Sequence, residues 1–269
     1  MYGYFWSGGA SLERPLDQIP MLYACNIGST EILQTLLQYG ATIDSYNCVN
    51  DIDLFAAAMA SKNRDVIKLV IESDPTHFLT AKTVDGESSL HIACQMGAST
   101  GTVQWLVDTI EDKNIVDKYK RTSLHHAVIG GNASLIRILV NAGTTVDLGD
   151  ERGNTALHLA IGDNNDHIIK LLLEAKASPY IPSSDKSTAL HIASARDNDA
   201  VLSQLLKFGK DLNTDPRVLN LLDLSGNSPL HIATLHYVVE NVQLLLEAGA
   251  SLSTPDSTGK TVLHLASAN

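Results

Sequence analysis

The sequence predicts an all-α fold in which a unit of two helices joined by a polar turn is repeated seven to eight times. A hexapeptide of the pattern Thr/Ser-x-Leu-His-x-Ala recurs at residues 88–93, 122–127, 155–160, 188–193, 228–233 and 261–266. The apolar residue at its third position belongs to a longer series of anchors, with successive spacings of 34, 35, 34, 33, 33, 40 and 33 residues. The anchors are Met21, Phe55, Leu90, Leu124, Leu157, Leu190, Leu230 and Leu263. A period this regular indicates that each unit is one structural repeat.

Local residue patterns predict where the two helices of each unit begin and end. A Thr or Ser opens the first helix, where its hydroxyl can accept a hydrogen bond from a free backbone N–H group. The second helix carries apolar residues at helical spacing, as in residues 168–173. Gly143 and Gly249 close two of these second helices with the left-handed residue that many helix ends require, and Lys176 holds that position in another.

The turn between the two helices of a unit is also predicted to contain a left-handed residue. Glycine occupies this position in two repeats, but Lys62 and Tyr237 occupy it in others. A left-handed backbone is unfavourable for either side chain, whereas Asn164 and Asp197 at the same position tolerate it better.

One anchor spacing is longer than the rest and places about seven extra residues between Gly209 and Asp223. Such an insertion, 210–222, is either a neutral product of drift or a functional element, since loop length alone changes stability little. Asp215 and Pro216 are typical of a helix start. We predict a short helical turn over 216–221, with its leucines packed on repeats six and seven and with Arg217 and Asn220 pointing outward.

The composition limits the possible functions. With 30 acidic and 19 basic residues, the formal net charge is −11, which argues against direct binding to a nucleic-acid backbone. The three cysteines have no ligand-like spacing and suit a reducing compartment. The sequence shows no run long enough to span a membrane and no signal-peptide pattern at its start, so we expect a cytoplasmic or nuclear protein.

Neither the histidines nor any short motif predicts a metal site or a catalytic site. Six of the ten histidines share the fourth position of the hexapeptide, which favours a structural role over metal ligation. The other four, His77, His126, His167 and His236, have no matching Cys or carboxylate spacing. The sequence contains no phosphate-binding loop, GxSxG elbow or HExxH motif. We therefore expect no catalytic residues, no metal, no cofactor and no enzymatic activity.

On the hexapeptide, its period and the two-helix pattern, the chain resembles the ankyrin-repeat family over about residues 16–269. The resemblance implies an all-α, right-handed ankyrin-repeat solenoid of stacked helix–turn–helix units with short β-hairpin fingers. It also implies that the shared histidine hydrogen-bonds to neighbouring backbone.

The predicted division is an N-terminal segment, 1–16, followed by an ankyrin-repeat domain, 17–269. The repeats fall near 17–49, 50–83, 84–117, 118–150, 151–183, 184–223 (with the insertion 210–222), 224–256 and a partial unit, 257–269. The aromatic-rich N-terminal segment is interpreted as a cap over the first repeat, with a remnant of expression or a partner-binding tail as alternatives. Because the sequence stops after the first helix of the last unit, we expect either that the array continues in a longer protein or that this helix is a half-cap.

By the same resemblance, the chain is expected to recognise another protein through a concave face formed by its fingers and first helices. Residues that vary between repeats would supply specificity there. The candidates are Tyr119, Arg121, Arg152, Asn154, Asp163, Lys186, Arg196, Arg217, Leu235 and His236. The insertion would extend one finger and form a wall of the site. Asn213 lies where ankyrin repeats can accept β-hydroxylation, although a plain turn residue is the simpler interpretation.

Two versions of this function stay open. The chain could be an adaptor, inhibitor or scaffold, monomeric, whose acidic surface engages a basic segment of its partner. It could instead be the regulatory ankyrin region of a larger enzyme, channel or transcription factor that makes intramolecular contacts. A purely intramolecular spacer is a third possibility.

Overall fold

A computed structural model describes residues 18–41, 51–73, 75, 79, 82–83, 85–211 and 215–268. The chain divides into two compact units, Met1–Ala81 and Lys82–Asn269. In these described ranges the regular structure is helical, apart from one isolated antiparallel bridge between Gly149 and Thr155. No helix of the described residues is long and apolar enough to cross a membrane.

Four helices with described bounds lie in the first unit, and they pair as the sequence predicts. They are α1 (Gln18–Ile27), α2 (Thr30–Gln38), α3 (Asp51–Ala60) and α4 (Arg64–Ser73). Helix α1 packs on α3 and α2 packs on α4, so that first helices meet first helices and second helices meet second helices. The anchors Met21 and Phe55 are both 2 % exposed, which confirms the predicted core of these two repeats.

The second unit continues the same alternation. Its helices are α5 (Ser89–Gln95), α6 (Thr100–Thr109), α7 (Ser123–Ile129), α8 (Ala133–Asn141), α9 (Ala156–Gly162), α10 (Asp166–Glu174), α11 (Ala189–Ser194), α12 (Asp199–Asp211), a 3-10 helix (Pro216–Asn220), α13 (Pro229–Leu235), α14 (Val239–Glu247) and α15 (Val262–Ala268). The first helices α5, α7, α9, α11, α13 and α15 pack in succession, and so do the second helices α6, α8, α10, α12 and α14. Each repeat therefore buries its apolar faces against its neighbours.

The anchor series forms the centre of this core. Leu90, Leu124, Leu157, Leu190 and Leu230 are at most 2 % exposed. The last anchor, Leu263, is 60 % exposed, because α15 is the final helix of the described chain and is covered on one side only.

The left-handed turns follow the sequence prediction at three of four positions. Lys62, Asn164 and Tyr237 have φ values of 57°, 55° and 58°. The prediction for Asp197 is wrong, since its φ is not positive. The fully buried amide of Asn241, on α14, donates to three carbonyls at the end of α11, with Nδ2···O distances of 3.3, 3.3 and 2.7 Å. A side chain from the next repeat thus donates hydrogen bonds to carbonyls that would otherwise accept them from backbone N–H groups of a left-handed turn.

The insertion is partly helical. The predicted turn is a 3-10 helix over Pro216–Asn220, and the carboxylate of Asp215 caps it by accepting the Arg217 N–H at 2.9 Å. The 3-10 helix packs on α13, and Leu219 is 6 % exposed. The helical part of the prediction is therefore confirmed, one residue shorter than expected, and Arg217 does point outward, with a side chain that is 91 % exposed.

Three details of the insertion differ from expectation. Asn220 is half-buried rather than outward, because its Oδ1 accepts the N–H of Ser251 in the following repeat at 2.8 Å. Leu221 and Leu222 are 39 % and 38 % exposed, so that only Leu219 packs fully. The insertion also lies before the next finger instead of lengthening it, and α12 takes up its first residues by continuing to Asp211. Asn213 lies outside the described residues.

Candidate protein-interaction surface

Six five-residue turns, called fingers, precede the first helices of the second unit. They span residues 83–87, 117–121, 150–154, 183–187, 223–227 and 256–260. In finger 117–121 the Asp117 Oδ1 accepts the N–H groups of Tyr119 and Arg121, each at 2.8 Å. Asp150 and Asp256 make the same pair of bonds, at 2.9 and 2.8 Å and at 2.8 and 2.8 Å. One carboxylate therefore shapes each of these fingers from inside.

Backbone hydrogen bonds join consecutive fingers. The N–H of the second residue in a finger donates to the carbonyl of the third residue in the finger before it. Each N···O distance is 2.7 Å, for Lys118 to Asp85, Glu151 to Tyr119, Ser184 to Arg152 and Leu224 to Asp185. The first five fingers are thus held in a continuous row by atoms that do not depend on side-chain identity.

The repeated histidine ties each first helix to the finger of the next repeat. At His125, Nδ1 lies 3.1 Å from the Thr122 N–H nitrogen and 2.8 Å from its hydroxyl oxygen. Because Nδ1 accepts from that N–H, the proton is on Nε2, which donates to the Asn154 carbonyl at 3.0 Å. Equivalent Nε2···O distances to the next finger are 2.9 Å at His91, 3.2 Å at His158, 3.2 Å at His191 and 3.3 Å at His231, and His191 Nε2 also lies 3.0 Å from the Leu221 carbonyl in the insertion. The structural role predicted for this histidine is confirmed.

Burial favours the neutral form of four of these imidazoles. Burial lowers the pKa of His91 to about 4, although the hydrogen bond to the Arg121 carbonyl opposes this effect. Burial likewise lowers the pKa of His125, His158 and His191 below the ordinary value of the side chain. A neutral ring with one accepting and one donating nitrogen is the form that fits both neighbours.

Five of the predicted binding residues lie on consecutive fingers. Two cations lie over the Tyr119 ring, with Lys118 Nζ 4.8 Å and Arg121 Cζ 5.4 Å from its centroid. Arg152 and Lys186 are exposed on the next two fingers. Asn154 is half-buried, and its backbone is occupied by Asp150 and His125, so that its side chain alone is available to a partner.

Four more predicted residues lie at the turns that follow the first helices. Asp163, Leu235 and His236 are exposed there. Arg196 instead bridges to the preceding repeat, donating to Asn164 Oδ1 and to the Gly162 carbonyl at 2.6 Å each. This bridge places Arg196 beside the turn that carries Asp163. Arg217, on the insertion, stands apart from both groups and pairs with Asp215, its Nε lying 2.7 Å from Oδ2.

Sequence reasoning missed two features near finger 117–121. Lys118 forms an ion pair with Asp85 on the preceding finger, and this pair holds the Lys118 side chain near the Tyr119 ring. Asp117 Oδ2 lies 3.0 Å from Nε2 of His126, and both side chains are buried. The signal for the second was visible, because His126 replaces the apolar residue found after the shared histidine in every other hexapeptide.

The stacked two-helix units define a repeat protein, and its variable side chains lie on the fingers and on the turns after the first helices. A family model described as "Ankyrin repeats (3 copies)" matches residues 54–150, 130–215 and 190–269. The chain therefore belongs to the ankyrin-repeat family. The crystal structure of the ankyrin repeat domain of Bcl-3, a member of the IkappaB protein family, has the same fold, with a TM-score of 0.68 and 20 % identity over 78 % of this chain and 92 % of that chain.

Two curated relatives are similar in sequence over shorter regions. The transient receptor potential cation channel subfamily A member 1 homolog of Caenorhabditis elegans is 29 % identical over 128 residues, which is 48 % of this chain and 10 % of the channel. The ADP-ribosylation factor GTPase-activating protein AGD4 of Arabidopsis thaliana is 31 % identical over 119 residues, 43 % of this chain and 14 % of that protein. The chain thus matches a small part of each relative. Ankyrin repeats mediate protein binding, so this chain carries a protein-interaction module.

Proposed function

We propose that this chain binds another protein through the row of fingers and the adjoining turns, as an adaptor, inhibitor or regulatory scaffold without catalytic activity of its own. The observation that carries the proposal is the way the fingers are built. Their shape depends on backbone atoms and on a carboxylate of the finger itself, so the side chains at the second, third and fourth positions that make no such bond can meet a partner. At fingers 117–121, 150–154 and 183–187 these positions include Tyr119, Arg152 and Lys186.

Aromatic and arginine side chains are the types that most often dominate binding energy at protein interfaces. The Tyr119 ring lies close to the cationic ends of Lys118 and Arg121, so little side-chain freedom is lost when a partner covers it.

The distribution of charged residues predicts two kinds of contact with a partner. The net charge of −11 supports a partner with a basic segment. Finger 117–121 is locally cationic, with Lys118, Lys120 and Arg121 against one acid, whereas fingers 150–154 and 183–187 carry at least as many acids as bases. We therefore expect finger 117–121 to take acidic or polar groups of the partner, and the acidic remainder of the module to take its basic segment.

The experiment begins with capture of the partner from native cells and its identification by mass spectrometry. Affinity is then measured for the chain and for the double substitution Arg152→Ala, Lys186→Ala, with Arg137→Ala as the matched control, because Arg137 is exposed on the second helix α8. The double variant should bind at least about tenfold more weakly, a loss of about 1.4 kcal/mol, and the control should bind normally. Equal affinities for all three proteins would place the binding surface elsewhere.

Shortening the insertion tests whether it contributes a wall of the site. Deleting residues 212–218 should leave the helical content unchanged and weaken partner binding at least about tenfold. Unchanged affinity of a folded, shortened chain would show that the insertion takes no part in binding the partner.

The second candidate function is the ankyrin region of a larger channel or enzyme, in which the same face contacts another part of its own protein. It is favoured by the two curated relatives, a cation channel homolog and a GTPase-activating protein, of which this chain matches 10 % and 14 %. Sequencing the full open reading frame separates the two versions, because only the second requires a further domain in the same chain.

A further inference from the structure

Three side chains from different parts of repeats three and four converge at the base of the fingers. Glu87 ends finger 83–87, Asp117 begins finger 117–121, and His126 lies in α7. One carboxylate oxygen from each acid and one ring nitrogen of His126 all lie within 4.8 Å of one another. Asp117 and His126 are buried and Glu87 is half-buried. Two carboxylates and an imidazole within this distance are a donor set typical of transition-metal sites.

His126 departs from the repeat pattern, and it meets an acid, Glu87, at a position that varies from finger to finger. The position of His126 is held by an apolar residue in the other five hexapeptides, as in Ile92 and Leu159. The position of Glu87, the last in its finger, is Arg, Asn, Ser, Asn and Lys in the later fingers. A core histidine and a finger acid that occur once each therefore face one buried aspartate, which repeat packing alone does not require.

The hydrogen bonds of Asp117 orient its carboxylate for binding a metal ion. Its Oδ1 is engaged by the two N–H groups of its own finger, and its Oδ2 faces His126 Nε2 at 3.0 Å. Burial raises the pKa of Asp117, but these backbone bonds and the contact with His126 outweigh it and hold the pKa below its ordinary value. The backbone bonds to Oδ1 act as the outer contacts that orient metal-binding carboxylates, and they leave Oδ2 for an ion.

The surroundings also orient the other two donors. The Thr83 hydroxyl lies 3.4 Å from Glu87 Oε2, and the His126 ring packs edge-on against His91, with 5.3 Å between ring centroids. In a tetrahedral zinc site the donors lie about 3.3 Å apart, so modest rotation of the half-buried Glu87 would complete the geometry. Calcium is disfavoured, because it takes six to eight oxygen donors and no imidazole.

We propose that Glu87, Asp117 and His126 bind a divalent transition-metal ion of the zinc class, with a fourth position filled by water or by a partner's side chain. The ion offsets the charge of two adjacent carboxylates, which a neutral imidazole does not. It links two consecutive fingers to α7 and so stiffens the boundary between repeats three and four.

The test uses chain freed of metal with a chelator, at about pH 7.5, where imidazole ligands are largely deprotonated. Calorimetric titration with Zn²⁺ should show one site per chain, and Co²⁺ should give the visible absorption of a low-coordinate site. Glu87→Gln should weaken Zn²⁺ binding by about tenfold or more. His126→Leu, which restores the type of residue found in the other repeats, should abolish it. His167→Gln is the matched control, because His167 is exposed on α10, and it should bind as the parent does.

Thermal unfolding provides the second measurement. Zn²⁺ should raise the melting temperature of the parent chain and of His167→Gln, and at the same Zn²⁺ concentration it should raise that of Glu87→Gln by less. If His126→Leu does not fold, the Glu87→Gln comparison decides the question by itself. Equal Zn²⁺ affinity of the parent and Glu87→Gln, or no Zn²⁺ binding by the parent, would overturn the proposal.

Discussion

Replacement of Tyr237 by glycine should stabilise the chain, because this residue holds a left-handed backbone in the turn between α13 and α14. Its φ is 58°, and its side chain is 68 % exposed. Releasing a side chain from the left-handed region gains about 1–2 kcal/mol, and the greater freedom of glycine in the unfolded chain returns about 0.5–1 kcal/mol of this. The net expectation is a gain of up to about 1 kcal/mol, reduced by whatever contact the partly covered ring makes.

Two further variants separate the backbone effect from the ring. Tyr237→Ala removes the ring but keeps the left-handed strain, so Tyr237→Gly should exceed it by about 1 kcal/mol in the free energy of unfolding. Gly131→Ala is the reciprocal change, since Gly131 has a φ of 66° and an added Cβ would meet no atom within 4 Å. It should lower stability by a similar amount. Urea unfolding followed by circular dichroism measures all three, and a Tyr237→Gly variant no more stable than Tyr237→Ala would refute the reasoning.

Three other predictions concern the repeat core. Leu157→Ala should lower stability by about 2–5 kcal/mol and make unfolding broader or biphasic, because Leu157 is fully buried and repeats couple only to neighbours; denaturant titration measures both effects. Stability should fall as pH drops below about 6.5, with a slope of up to about 1.4 kcal/mol per pH unit each for His158 and His191, because burial lowers the pKa of these two side chains and the unfolded chain binds more protons. Amides of α3 should exchange faster than those of α9, since repeat two lacks the histidine that ties α9 to the next finger.

For each of these three predictions, one result would contradict the reasoning. A single unaltered transition with a loss below about 1 kcal/mol would remove Leu157 from the core. A His158→Gln variant that keeps the full pH slope would show that other groups control acid sensitivity. Exchange in α3 as slow as in α9 would mean that the histidine link adds nothing to local stability.

Sequence periodicity predicts most of this fold because the interactions that define it are local or recur at a fixed interval. The anchors, the histidine link and three left-handed turns all follow from the repeat itself. Asp197 and Asn220 were mispredicted for a common reason. The carbonyls near Asp197 are served by Asn241, 45 to 48 residues away, and Asn220 is held by Ser251, 31 residues away. Such contacts belong to one repeat pair and leave no periodic trace.

The candidate sites show the same limit. Exposure of Arg152 and Lys186 could be inferred from their finger positions, whereas the bridge that engages Arg196 depends on a turn 32 residues earlier. The cluster of Glu87, Asp117 and His126 was overlooked because its members have no motif spacing, and only stacking of two repeats brings them together. Departures from a repeat pattern are therefore most informative when they are compared between adjacent repeats.

The bonds between fingers have a consequence for how such a chain can be altered. Because the second residue of a finger contributes only its N–H, and the third only its carbonyl, any amino acid except proline can occupy the second position without breaking the row. The scaffold thus tolerates exchange of Glu151 and Arg152, or of Ser184, with little loss of stability, whereas Asp185 has to be kept because its Oδ1 accepts the N–H of Ser187 at 3.0 Å. A library randomised at these positions, with Asp150 and the hexapeptide histidines kept, would yield folded variants with new binding preferences, while Glu151→Pro would unfasten two fingers from each other.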